Sequence, residues 1–133
     1  MELADDRMCF VCGQRNPVGL KLTFEFDGDR YVTSFTPKPE HQGYSGVTHG
    51  GIISTVLDEV MARLLCAKGY QAPTAELTVR LKRPARTGQE LTFVGWIVGQ
   101  RGRVIDCAAE ARDASGELVA EATARMMKVR HER

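Results

Sequence analysis

The chain has no excess of charge of either sign. Its 18 Lys and Arg face 17 Asp and Glu, for a formal net charge of +1, so bulk electrostatics gives no reason to expect a nucleic-acid partner. It has no uncharged apolar run of the roughly 18 residues that a membrane span requires, because its most apolar segment contains Asp58, Glu59 and Arg63. The N-terminal MELADDRM is acidic and lacks the apolar core of a secretory signal. The expectation is a cytoplasmic protein without a membrane partner. Cysteine is sparse, and Cys9, Cys12, Cys66 and Cys107 should be reduced in that compartment. Repeats, low-complexity tracts and a linker are absent. At 133 residues the chain is expected to form a single domain, 1–133, with 1–19 as a CxxC-bearing N-terminal segment. Strands and helices do not alternate, which excludes a parallel α/β sheet.

What the chain has is one long amphipathic helix behind a glycine-marked loop. It is expected to begin near His49-Gly50-Gly51 and to stop at Gly69, a residue suited to a left-handed C-terminal cap. Ile52, Ile53, Val56, Leu57, Val60, Met61, Leu64 and Leu65 recur at helical spacing, a stripe wide enough for a helix wrapped by other structure. Gly51, Ser54, Thr55, Asp58 and Ala62 share the remaining face. That face is small and polar where a solvated one would carry Lys, Glu and Arg, so a ligand or a second helix approaches it closely. The free N–H groups and positive dipole end near Gly50-Gly51 can receive a developing negative oxygen. Asp58 lies about 10 Å further along by helical rise, so one helix cannot bring both to the same atom, whereas two helices of a symmetric dimer can.

Around the helix, residues 2–8 read as a short helical turn. Residues 20–26 and 31–35 read as a hairpin about Asp27-Gly28-Asp29. Pro37 and Pro39 end it. After the break at Pro73, strands are expected at 74–82, 91–98, 104–111 and 118–129, the first burying Ala75, Leu77, Val79 and Leu81. The last two are rich in alanine (Ala108, Ala109, Ala111, Ala120, Ala122, Ala124), so something bulky, namely the helix, packs close to them. The tail at 130–133 is expected to fray. The fold class is α+β, an antiparallel sheet of about five or six strands wrapped around one helix.

The string His49-Gly50-Gly51, with Asp58 on the same helix and the Arg83-Pro84-Ala85-Arg86-Thr87-Gly88 turn after the next strand, resembles the hotdog-fold acyl-CoA thioesterases of the phenylacetate-pathway (PaaI) type, in the wider 4-hydroxybenzoyl-CoA thioesterase superfamily. The resemblance spans roughly residues 18–129. The N-terminal Cys9-Phe10-Val11-Cys12-Gly13 with Asn16-Pro17-Val18-Gly19-Leu20 is similar to a subgroup of small members. The resemblance implies hydrolysis of an acyl-CoA at the interface of a homodimer, or of a dimer of dimers, with no cofactor beyond the CoA of the substrate. It implies Asp58 as general base or nucleophile, Gly51 and then Gly50 as amide donor to the oxyanion, His49 holding the loop or contacting the thioester, and Thr74 orienting the water or the carboxylate. Arg80, Lys82, Arg83 and Arg86 would receive the phosphates. One departure stands out. Where several members carry Asn or Asp, this chain has Gly43, leaving His41 or Gln42 to supply the group.

Other readings remain for the same residues. The glycines also suit tight helix packing, His49 suits a cap, and Arg80 and Lys82 suit an ordinary solvent face. Glu59, about 100° round the helix from Asp58, reads as a solvated carboxylate. Met61, Tyr70 and Trp96 are candidate walls of an acyl tunnel. Cys66 and Cys107 read as packing residues. Cys9-x-x-Cys12 is half a zinc knuckle without a second CxxC. His41 and His49 are the only evident completing ligands, and no metal is expected. The functional rivals are a non-catalytic acyl-CoA binding module, a hydratase or dehydratase on the same fold, and a purely structural oligomer.

Overall fold

The computed structural model describes residues 3–129; the fray expected at 130–133 lies outside them. In chain order the elements are β1 (Glu25–Asp27), β2 (Arg30–Phe35), a 3-10 turn (Pro39–His41), α1 (Gly50–Ala67), β3 (Thr74–Leu81), β4 (Leu91–Arg101), β5 (Val104–Arg112) and β6 (Leu118–Met127). They form one six-stranded antiparallel sheet in the order β1-β2-β4-β5-β6-β3, with α1 packed against β2 to β6. No helix among the described residues is long and apolar enough to cross a membrane.

The helix ends for the expected reason. Gly69 takes φ +90°, the Tyr70 N–H donates to the Leu65 carbonyl at 2.9 Å and the Gly69 N–H to that of Cys66 at 3.0 Å. This is a Schellman cap, open to glycine because it lacks a Cβ. Ile53, Val56, Leu57, Val60, Met61, Leu64 and Leu65 are buried, together with Ala109, Ala111, Ala120, Ala122 and Ala124 of the facing strands. Small strand residues let the helix sit close. The limit is Gly95 in β4, where a Cβ would come within 2.9 Å of the Val60 backbone oxygen. Gly95→Ala is therefore expected to destabilise the protein by about 1–3 kcal/mol through overpacking, read as a lower denaturant midpoint at unchanged slope.

Four expectations are corrected. Residues 3–8 hold no helix, because the Asp5 and Asp6 carboxylates accept the N–H groups of Arg7 and Met8 at 2.8 and 3.1 Å, short-range bonds that compete with helix formation. The first strand is only three residues long, since the lead-in pairs elsewhere: Leu20 and Leu22 donate to the Phe10 and Val11 carbonyls. β3 has no buried face, because it is the outer strand, and Leu77 and Leu81 remain 37% and 54% exposed. Cys66 is exposed rather than packed, while Cys107 is buried as expected, and burial, aided by Asp106, pushes its thiol up to about 11.

Candidate functional site

The loop ahead of α1 is fixed by its own backbone. Gly43 donates to the Val47 carbonyl at 2.9 Å, Thr48 to that of Ala85 at 2.7 Å, and His49 to that of His41 at 2.8 Å. Val47 and Arg86 form an isolated bridge, so the turn after β3 clamps this loop. The Gln42 side chain accepts the Gly46 N–H at 3.1 Å, which spends it on holding the loop. His41 caps the 3-10 turn, its Nδ1 accepting the Lys38 N–H at 2.9 Å. Neither stands in for the polar group that Gly43 lacks.

His49 caps the long helix. Its Nδ1 accepts the Gly51 N–H at 2.9 Å. A neutral ring that accepts at Nδ1 carries its proton on Nε2. A Cβ on Gly51 would meet that ring at 3.0 Å, so glycine is what lets the cap form. The Gly51 N–H, the first choice from the sequence as amide donor, is thus occupied by His49. The Gly50 N–H, the first of the helix, has no partner among the described residues.

Gly50 lines a cavity of about 580 Å3. Val47, Ile53, Leu81 and Val119 form its apolar wall, Gly43, Thr48 and His49 its loop side, and Lys82 and Arg83 its cationic border. The candidate walls Met61, Tyr70 and Trp96 do not line it. Met61 is wholly buried, and Trp96 sits under the Arg30 guanidinium at 4.3 Å. Sequence reasoning missed Thr48, whose buried hydroxyl has no hydrogen-bond partner, a costly state that a ligand in the cavity would relieve.

The cations divide. Lys82 pairs with Glu121 at 3.5 Å and Arg83 with Glu117 at 2.7 Å. Exposed pairs of this kind contribute only about 0–1 kcal/mol, so a phosphate can displace the carboxylates. Arg86 is exposed beside the bridge to Val47. Arg80 lies with Thr78, Trp96 and Glu121 in a separate groove, away from the cavity.

Asp58 and Thr74 do not line the cavity either. They meet one another: the Thr74 hydroxyl donates to Asp58 Oδ1 at 2.6 Å. Ser54 and Thr55 turn their hydroxyls back to the Gly50 and Gly51 carbonyls, so Asp58 is the one charge on the small face. Gly51 on that face is exposed and Ser54, Thr55, Asp58 and Ala62 are half-buried, and through Asp58 and Thr74 the face meets the start of the edge strand β3. Glu59 departs from the solvated reading, because its carboxylate accepts from the Cys9 thiol at 3.2 Å. Burial first, then Glu59 and Cys9, push the Cys12 thiol well above its ordinary value.

Residues 45–120 match the model of the thioesterase superfamily. No curated protein matches the chain. Among solved structures, a thioesterase superfamily protein is 27% identical with a TM-score of 0.83, over 88% of this chain and 61% of that one; this chain thus spans less than two thirds of its length. A hypothetical thioesterase protein from Streptococcus pneumoniae TIGR4, solved with coenzyme A, is 19% identical with a TM-score of 0.77, over 84% of this chain and 88% of that one. The E. coli PaaI protein from the phenylacetic acid degradation operon is 19% identical with a TM-score of 0.76, over 81% and 83%. The architecture of one helix wrapped by a six-stranded antiparallel sheet is the hotdog fold.

Proposed function

The chain belongs to the thioesterase superfamily, and from that membership we propose that it hydrolyses an acyl-CoA thioester to the free acid and CoA. The observation that carries this reading is the unpartnered Gly50 N–H at a helix N-terminus, opening into an apolar cavity bordered by Lys82 and Arg83. An acyl group in that cavity presents its carbonyl to an amide that gains strength as the oxygen turns negative. The CoA phosphates meet Lys82 and Arg83 at the border, with Arg86 beside them.

The water comes from the other half of the site. Gly50 and Asp58 are eight residues apart, about 12 Å along one helix, so the carboxylate that serves a given cavity is Asp58 of the partner subunit. The free β3 edge, the exposed Leu77 and Leu81 and the small face of α1 favour a two-fold homodimer in which that edge is covered. Asp58 acts there on water or on the carbonyl itself. Thr74, holding Oδ1, leaves Oδ2 free for that step. The Streptococcus pneumoniae protein has been solved with one aspartate and, separately, one threonine replaced by alanine. Those two positions are sixteen apart, the spacing of Asp58 and Thr74 here. A cytoplasmic location goes with the proposal, as does the absence of any cofactor beyond the CoA of the substrate.

The test is thiol release from short-chain, medium-chain and aromatic acyl-CoAs. Turnover above the uncatalysed rate supports hydrolysis. Thermal stabilisation by acyl-CoA without turnover would make the protein a binding module, the reading that Gly43 favours. Within the same assay, Thr74→Val is expected to lower kcat about tenfold or more with KM little changed. A hydrogen bond to a charged group contributes about 1.5–3 kcal/mol, and here it orients a group that acts in the transition state.

A further inference from the structure

Outside the thioester site, one cluster of ligating side chains has no part in hydrolysis. The Sγ atoms of Cys9 and Cys12 and a carboxylate oxygen of Glu59 all lie within 4.8 Å of one another. All three residues are half-buried. The cysteines come from a tight N-terminal turn and the glutamate from α1, fifty residues away in sequence.

The turn is built to keep both thiols on one side. Gly13 donates to the Cys9 carbonyl at 2.9 Å, and a Cβ at Gly13 would strike Cys9 N at 2.4 Å and the Arg7 oxygen at 2.6 Å. No side chain larger than hydrogen permits this closure. Val11 is buried beneath it, and the Phe10 and Val11 carbonyls take the Leu20 and Leu22 amides. The cysteine positions are therefore set by the fold and not by free side chains on a loose arm.

We propose that Cys9, Cys12 and Glu59 bind one zinc ion that staples the N-terminal segment to α1. Two thiolates and a carboxylate are a donor set that zinc accepts in tetrahedral geometry, and thiolates disfavour magnesium and calcium. With bonds of about 2.0–2.3 Å, donor atoms around such an ion sit about 3.5–3.8 Å apart, so rotation of the three side chains closes the present triangle. The fourth position goes to water from the adjoining cavity of about 770 Å3, which Cys9, Cys12 and Glu59 line together with Arg63. The balance is simple. The ion displaces the thiol protons of Cys9 and Cys12, including the one now donated to Glu59, and two protons pass to solvent. The ligands leave one net negative charge, which faces the Arg63 guanidinium. The histidines suggested by spacing are not involved, since His41 and His49 each cap a helical turn.

The experiment uses the full chain, reduced and stripped of metal, titrated with Co2+ and then with Zn2+. One equivalent of Co2+ per chain is expected to give sulfur-to-cobalt charge-transfer absorption and intense tetrahedral d–d bands, both abolished by Zn2+. Cys9→Ser and Cys12→Ser should each lose the charge-transfer signal or halve it. Glu59→Gln should weaken binding by more than the roughly 10–100-fold that removal of a supporting residue costs. Cys66→Ser and Cys107→Ser should leave the titration unchanged, which separates this site from adventitious thiol binding. Zn2+ should also raise the thermal midpoint of wild type but not of Cys12→Ser. A wild-type protein that shows no thiolate band at one equivalent, or a band that keeps its full wild-type intensity in both Cys9→Ser and Cys12→Ser, would overturn the proposal.

Discussion

Asp58→Ala is expected to reduce CoA release by at least about 10²-fold on every acyl-CoA that wild type turns over, with the protein still folded. General acid–base or nucleophilic groups typically account for 10²–10⁴ in rate, and Asp58 is the one carboxylate on the small face of α1. Its hydrogen bond joins it to Thr74 and to no buried group, so the fold does not depend on it. Alanine also has the higher helix propensity, which offsets part of the lost bond. The thermal midpoint should therefore move by only a few degrees while kcat collapses and KM changes little. Activity within a few-fold of wild type would remove Asp58 from the reaction and leave the carboxylate as a packing contact to the edge strand.

Most of the fold was legible because it follows from two periodicities. The apolar stripe of α1, its glycine stop and the alternation along β4, β5 and β6 are local signals that tertiary packing reinforces. The errors fall where partners distant in sequence decide. The lead-in at 20–24 alternates like a strand, and Leu20, Leu22 and Phe24 do pack on the core, yet its amides go to the N-terminal turn and only residues 25–27 join the ladder. Leu77 and Leu81 alternate like buried residues but belong to an edge strand whose outer side is left exposed among the described residues. At the site, residue types were readable and their allocation was not. His49, Gly50, Lys82 and Arg83 gather at one cavity, and Thr74 finds Asp58 across sixteen positions. Which glycine amide is free depends on which way the His49 ring turns. Glu59 was read as solvated because a helical wheel cannot see the chain docking on it from residue 9.

Gly50→Pro is the sharpest test of the amide, because it deletes one N–H and little else. Position 50 is the first residue of the helix, where proline is favoured because that N–H has no intrahelical partner and the fixed φ suits the helix. The residue before it, His49, already has φ −59° and ψ 130°, the conformation a following proline demands. The one close neighbour of an added Cβ is the terminal methyl of Leu81 at 2.7 Å, the far end of an exposed side chain that can move. The helix should start as before, while hydrolysis falls by about 10²–10³, the usual effect of removing one oxyanion donor. Mixing then tests where the halves of the site meet. In a dimer of one Gly50→Pro and one Asp58→Ala protomer, a cross-subunit site puts both lesions in one cavity and leaves the other intact. Half the dimers formed at random are such hybrids, so denaturing and refolding equal amounts together should restore about a quarter of wild-type activity from two nearly inactive proteins. A site contained within one protomer would restore none, because every subunit in the mixture carries a lesion of its own.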